Sequence, residues 1–384
     1  MLVSVYDSST GAMSSMADYS VDIAVIGAGI AGIGAAAELS RTRQVLVLEA
    51  EERPGYHSTG RSAAMYEKHY GNAVIRRLTG LSEEFFLNPP SEVTETPLLS
   101  PRGMLVITDG SDEDVFIELV GDGSILAEIS TAEALAMVPI LRPESAKRAA
   151  YLAAPGIDVD ALHQGWIRVL RRRGGNLICD ARVSSLTFEN GMWTIRAPGV
   201  TVRAPVVVNA AGAWADKVAE MAGLKPVGLV PCRRSMAVLP APEGLDVSKW
   251  PMFGPALETW YCKPEAGALY VSPAEEDPVE PHDAYADDMV LAEGLDRFER
   301  ATTVSVSRVE RSWAGLRTFA SDRTPVIGYD PAAQGFFWLA GQGGYGIQSS
   351  PMASRVAAAL LLGERLNLPD EAELIAALSP ARFR

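Results

Sequence analysis

The sequence predicts a two-domain α/β (α+β) fold, one domain built round a parallel sheet and the other round an antiparallel one. Three observations lead to that expectation. An apolar run enters a glycine turn and a helix at 21–39, the same strand, turn and helix theme returns near 206–212 and 335–362, and segments of period-two alternation lie between. A chain of 384 residues, 48% apolar, is long enough to give each domain its own core.

In chain order, residues 1–19, rich in Ser and Gly, read as a disordered leader. Val-Asp-Ile-Ala-Val-Ile at 21–26 has the texture of a buried parallel strand and stops at glycines before an Ala-rich helical stretch over 31–39. Gln-Val-Leu-Val-Leu at 44–48 reads as the next buried strand and ends at Glu49, closing a βαβ unit. Three valines at 206–208 run into Asn-Ala-Ala-Gly at 209–212. Phe-Phe-Trp-Leu-Ala at 336–340 precedes a glycine turn at 341–346 and an Ala/Leu-rich helix ending at Leu362. A helix over 161–173 ends in three arginines and then Gly174, cations that suit the negative end of its dipole. These pieces are expected to join as one domain over 20–96, 144–225 and 310–384. The second domain is expected from 97–143 and 226–309, where alternation at 234–238, 269–271 and 302–307 suggests half-buried antiparallel strands.

Composition removes several function classes. A net charge of −14 repels phosphate backbones, so no nucleic-acid partner is expected. No apolar stretch approaches the roughly 18–20 residues needed to cross a bilayer. The first forty residues hold no Lys or Arg, so the positive region of a secretory signal is missing. A cytoplasmic protein is expected, at most loosely associated with a membrane for electron transfer. Cys179, Cys232 and Cys262 are odd in number and widely spaced. The four histidines, His57, His69, His163 and His282, lack paired spacing, so neither a disulfide framework nor a metal site is expected.

The turn Gly27-Ala-Gly-Ile-Ala-Gly32 follows a strand, opens a helix, and is followed by an acidic residue, Glu49, at the end of the next strand. In that context Gly27 permits a tight turn, Gly29 lets backbone approach a pyrophosphate, and Gly32 lets helix and strand pack closely. Ile30 and Ala31 stand at the helix N-terminus, whose free N–H groups and partial positive charge suit phosphates. Glu49 is placed to accept from a ribose hydroxyl. The turn by itself does not separate NAD from FAD.

Further motifs separate them. Tyr-His-Ser-Thr-Gly-Arg-Ser-Ala-Ala at 56–64, Asn-Ala-Ala-Gly-Ala-Trp at 209–214, Trp-Ala-Gly-Leu-Arg at 313–317 and Gln-Gly-Gly-Tyr-Gly-Ile-Gln at 342–348 cover much of the chain. With them the chain resembles the FAD-dependent D-amino acid oxidase superfamily, which includes glycine oxidase, sarcosine oxidase and the D-amino acid dehydrogenases. It looks most like the bacterial D-arginine dehydrogenase type. The resemblance implies a Rossmann-like FAD-binding domain and a discontinuous antiparallel substrate domain. It places His57, Ser58, Thr59, Arg61, Ser62, Ala63 and Ala64 along the isoalloxazine, with Ala50 beside Glu49. Val183, on a middle strand with Arg182, would pass the adenine. Ala211, Gly212, Trp214, Arg317, Gly343, Gly344, Tyr345, Gly346 and Ile347 complete the cofactor set, the last helix directing its positive end at the flavin pyrimidine. Relatives that tie FAD to a C-terminal cysteine differ, since no cysteine follows Cys262. His57 lies where other relatives attach FAD, but the D-arginine dehydrogenase type binds it non-covalently, and that is the expectation.

For the substrate, the resemblance points to Arg234 and Arg317 as carboxylate anchors, a task the planar guanidinium suits. Arg234 shares a strand face with Met236 and Val238, the apolar side, while Arg233 faces the other way. Tyr70 and Tyr261 match pocket tyrosines, and the carbonyl of Gly344 would accept from the substrate amine. Met104 stands where the D-arginine dehydrogenase type carries a glutamate for a cationic side chain, and Met65 where it carries a pocket histidine. Glu67 is an added acidic residue on that loop. The implied reaction is FAD-dependent oxidative deamination of a D-amino acid, neutral or hydrophobic in its side chain. Hydride passes from the α-carbon to flavin N5, and water hydrolyses the imino acid to a 2-oxo acid and ammonia. No side chain is assigned as general base. The partners implied are a small amino acid or amine and an electron acceptor, whether a quinone, another carrier or O2. The alternatives are an enzyme of N-methyl or cyclic secondary amines or of 2-hydroxy acids, a non-catalytic FAD-binding subunit, and an NAD-binding dehydrogenase.

Overall fold

The computed structural model describes residues 17–384 throughout and, before them, the backbone of the strands Val3–Tyr6 and Met13–Ser20. One body is a six-stranded sheet in the order Asn176–Ile178, Val45–Leu48, Ile23–Ile26, Val206–Asn209, Phe336–Ala340, Val326–Tyr329. Its neighbours are parallel except the last pair. Every residue of Ile23–Ile26 and Val45–Leu48 is buried, as expected of strands covered on both faces. The helices Ile30–Leu39, Val159–Arg172 and Gly346–Leu362 cover one face, where Ile33, Trp166 and Val356 share a core with Val25 and Val47. A smaller sheet, including Ser185–Glu189, Met192–Ala197 and Val200–Ala204, covers the other, packing Trp193 and Ile195 against Ala24, Leu46 and Trp338.

The leader expected over 1–19 needs correction. Ala17, Asp18 and Tyr19 form a strand beside Val200, Thr201 and Val202. The physical reason is alternation: Tyr19 and Val21 pack on the core beneath that sheet while Asp18 and Ser20 face water. Residues 1, 2 and 7–12 lie outside the described residues.

The second body is a nine-stranded sheet in which Val230–Pro240, next to one edge, is paired antiparallel to both Ala268–Ser272 and Arg311–Phe319. Its neighbours are antiparallel apart from Met252–Pro255 beside Met104–Thr108. Two strands from segments expected in the other domain belong here, Arg148–Leu152 and Arg311–Phe319, so the sheet exceeds the boundaries 97–143 and 226–309. Residues 303–309 form no strand despite their alternation: Val304 and Val306 pack on the core, and only Thr302 makes an isolated bridge, to Leu141. The helix Asp288–Ala301, capped by Asp287 on the N–H groups of Met289 and Val290, covers the sheet's outer face with Leu291, Leu295 and Phe298. Among the described residues no helix is long and apolar enough to cross a membrane.

Candidate active site

The 27–32 turn is enforced by contact. Gly27 has φ +103°, and a Cβ there would lie 2.4 Å from the carbonyl oxygen of Ala210. A Cβ on Gly32 would lie 2.0 Å from the carbonyl of Gly27 itself. Thr59 reaches in from the next loop, its Oγ1 accepting from the Ile30 N–H at 3.0 Å. No acidic residue stands in the first helical turn, so the helix presents its positive end unneutralised. Glu49 is buried, and its carboxylate accepts from the N–H groups of Ala28 (2.7 Å) and Glu51 (3.0 Å). His163, absent from the sequence-based set, buttresses the turn through Nε2 and the Ala28 carbonyl at 2.9 Å. Burial lowers its pKa, so it is a neutral donor.

A single cleft of about 1790 Å³, counting its open mouth, runs from this turn across the seam between the two large sheets. It is lined from the turn by Gly27, Gly29, Ile30 and Ala31, from the second strand by Glu49 and Ala50, and from the following loop by His57, Ser58, Thr59, Arg61, Ser62 and Ala63. Val183, Ala211, Gly212, Trp214, Arg234, Tyr261, Arg317, Gly343, Gly344, Gly346 and Ile347 complete the expected lining. Gly32, Ala64 and Tyr345 stand behind it. Val183 lies in an irregular segment between Asn176–Ile178 and Ser185–Glu189, not on a strand. The 57–63 loop is tied to the antiparallel sheet: Ser58 Oγ donates to the Leu316 carbonyl at 2.6 Å, and Arg61 donates to the carbonyls of Ala284 and Ala314 and to Asp283. His57 Nε2 lies 3.0 Å from Glu51 Oε1, its ring against Trp214. Lys217 and Met221 also line the cleft and were not expected from sequence.

The substrate-side wall is the face of the nine-stranded sheet that carries both arginines. Register pairs Cys232 with Arg317 and Arg234 with Gly315, so the two guanidinium groups share one face, with a glycine leaving room between them. Arg233 points the other way, to Asp277 (3.1 Å) and Asp287 (3.7 Å). Among the described residues neither Arg234 nor Arg317 forms an ion pair, and Arg234 Nε is buried without a hydrogen-bond partner. Burial works against the charge on Arg317, but Tyr261, Tyr70 and Glu276 outweigh it and hold the group charged. A Cβ on Gly344 would approach the Arg317 guanidinium carbon to 3.1 Å, so the glycine loop lies directly against Arg317. Tyr70 does not line the cleft. It sits behind, its ring 5.0 Å from that of Tyr345, and burial raises its pKa, keeping the phenol protonated.

Met65, Glu67 and Met104 are not brought onto the cleft. Met65 makes an isolated bridge to Gly156. Met104 lies on the same sheet face as Tyr261 but two strands away, between Leu152 and Met252. Glu67 is buried beside a separate hollow, its carboxylate accepting from the His69 N–H at 2.6 Å and its own N–H donating to Gln348. Burial raises its pKa. Among the described residues no group of His, Cys, Asp and Glu is arranged to hold a metal.

The family model described as "FAD dependent oxidoreductase" (DAO) matches residues 22–360. The chain belongs to the DAO family of FAD-dependent oxidoreductases. Its relatives include glycine oxidase of Geobacillus kaustophilus, 23% identical over 88% of this chain and 92% of that protein. FAD-dependent oxidoreductase domain-containing protein 1 of Bos taurus is 23% identical over 89% of this chain and 81% of its own length. Among solved structures, L-proline dehydrogenase from P. horikoshii superposes with a TM-score of 0.79 at 21% identity, covering 96% of this chain and 98% of that one.

The donor set of this DAO-family chain fits FAD. Gly27 and Gly32 let the turn, the helix and the Ala210 backbone pack without an intervening side chain, and the buried Glu49 carboxylate lines the cleft beside them. The N-terminus of Gly346–Leu362, also without an acidic residue in its first turn, opens on the cleft beside Gly343 and Gly344. The resemblance drawn from sequence holds at the level of the family.

Proposed function

We propose that this DAO-family enzyme oxidises a small amino acid at its α-carbon, giving an imino acid that water hydrolyses to a 2-oxo acid and ammonia. The observation that supports this reading is the pair of unpaired guanidinium groups, Arg234 and Arg317, on the cleft wall against the glycine loop. Cations half-withdrawn from water without an ion-pair partner are costly, and a substrate carboxylate is the partner that relieves the cost. When bound, FAD supplies the hydride acceptor.

Around it this chain's residues bind and aim. Arg317 and Arg234 take the carboxylate, Tyr261 donates a phenolic hydrogen bond from the cleft wall, and Tyr70 supports Arg317 from behind. The Gly344 carbonyl accepts from the amine and so favours a nitrogen turned towards the loop. Met236 and Trp313 present apolar surface to the same space, which suits a neutral side chain. The D configuration and non-covalent FAD follow the D-arginine dehydrogenase likeness of 56–64, 313–317 and 342–348. The names of similar proteins, glycine oxidase and L-proline dehydrogenase, favour carboxylate-bearing amines and keep a cyclic secondary amine as the second reading.

An anaerobic panel of D- and L-amino acids, sarcosine and proline, read by loss of the visible flavin band, tests the proposal. Bleaching by neutral D-amino acids with release of ammonia supports it. Preference for D-Arg, or bleaching only by amines without a carboxylate, would refute it. Reoxidation with air against a quinone then assigns the acceptor.

A further inference from the structure

Beside the two unpaired arginines stands a carboxylate that does not join them. Asp277 pairs with Arg233 across the strand ladder, so one step back along that register puts Glu276 next to Arg234, on the face that carries Arg234 and Arg317. Its charge is felt by both: burial opposes ionisation, but Arg323 first and then Arg234 and Arg317 hold its carboxyl below the usual range. Yet Glu276 is taken by a third guanidinium. Arg323 meets it with two hydrogen bonds, at 3.0 and 2.9 Å.

Arg323 is built for that role. Its backbone has φ +56°, a left-handed conformation that a non-glycine residue adopts only under strain. The guanidinium carbon lies 3.9 Å from the Phe319 ring centroid, and Phe319 in turn packs on Gly343, where a Cβ would come within 2.2 Å of the ring. Stacking and the bidentate pair fix Glu276 in one orientation.

We infer that Arg323 restrains Glu276 so that this carboxylate does not swing onto Arg234 and Arg317 and fill the anion site from within. Arg323 and Glu276 are therefore positioning residues that set affinity for the substrate carboxylate. The inference rests on the proposed reading of Arg234 and Arg317 as its anchors.

The test uses FAD-loaded enzyme and benzoate as the carboxylate probe, binding followed by perturbation of the flavin spectrum, with benzamide as the uncharged control. Arg323→Gln releases Glu276 and is expected to weaken benzoate by about tenfold or more, leaving benzamide unchanged. Glu276→Gln removes the internal competitor and its repulsion, and is expected to tighten benzoate by about threefold or more. The double variant is expected to bind as Glu276→Gln does, a rescue that simple damage to packing does not produce. Normal wild-type binding with an unaltered Glu276→Gln, or a double variant as weak as Arg323→Gln, overturns the inference alone. Should Arg323→Gln fail to hold FAD, Glu276→Gln decides by itself. A wild-type spectrum that no carboxylate perturbs removes the anchor reading and this inference with it.

Discussion

Replacing Arg317 by leucine separates binding from stability. The guanidinium is half-buried, forms no ion pair among the described residues, and has its charge favoured by Tyr261, Tyr70 and, at longer range, Glu276. An apolar side chain in place of a poorly compensated buried charge is near neutral for folding. Leaving a phenol without its partner costs about 1 kcal/mol, so the melting temperature should fall by no more than roughly 4 °C. Binding is different. Losing a buried, bidentate, charge-assisted contact to a substrate carboxylate costs about 3–4 kcal/mol, since Arg234 retains part of the attraction. At roughly 1.4 kcal/mol per factor of ten, kcat/KM should drop about one-hundred- to one-thousandfold. Steady-state turnover of the best amino acid and of the amine lacking its carboxylate, alongside thermal melts of both proteins, provides the assay. A loss within about threefold, or an equal loss for the amine without a carboxylate, refutes the role given to Arg317.

Two further outcomes follow from the same geometry. Gly32→Ala puts a methyl 2.0 Å from the Gly27 carbonyl and should yield protein without flavin, whereas Gly29→Ala, 3.3 Å from Thr59 Oγ1, should fold but hold FAD more weakly; visible absorbance and melting temperature after purification distinguish the two. Burial raises the Glu67 carboxyl, so its stabilising contribution is complete below the unfolded value and is lost as pH rises through the folded one. Glu67→Gln should therefore raise the melting temperature at about pH 8 and change it little at about pH 4, and a shift that ignores pH would count against this account.

The parallel sheet and its glycine turn were legible because their determinants are local. Gly27, Gly29 and Gly32 answer to contacts a few residues away, and buried strands such as 44–48 announce themselves by unbroken apolar runs. The face on which Arg234 lies was legible by parity along its strand, whereas Arg317 came to notice only through the family resemblance. What lay hidden depends on register between distant segments. Glu276 reaches the site because Asp277 pairs with Arg233, and Arg323 reaches Glu276 from a left-handed turn that its residue type does not announce. Glu67 misled for the same reason, since loop placement alone does not say which of two hollows a side chain enters. The helix Asp288–Ala301 did carry a signal, Leu291, Leu295 and Phe298 at helical spacing behind an aspartate cap, but flanking alternation masked it.

The strand Arg311–Phe319 begins in the substrate sheet and ends on the cofactor's glycine loop, where the Gly343 N–H donates to the Thr318 carbonyl at 2.9 Å. One length of backbone thus carries Arg317, the proposed carboxylate anchor, and grips the glycine loop that lines the cleft. In the proposed reading the aim of the α-carbon is set within this segment, while the far strands that carry Met104 and Leu152 stand apart from it. Side chains on those far strands can therefore change without moving the edge along which Arg317 and the glycine loop meet.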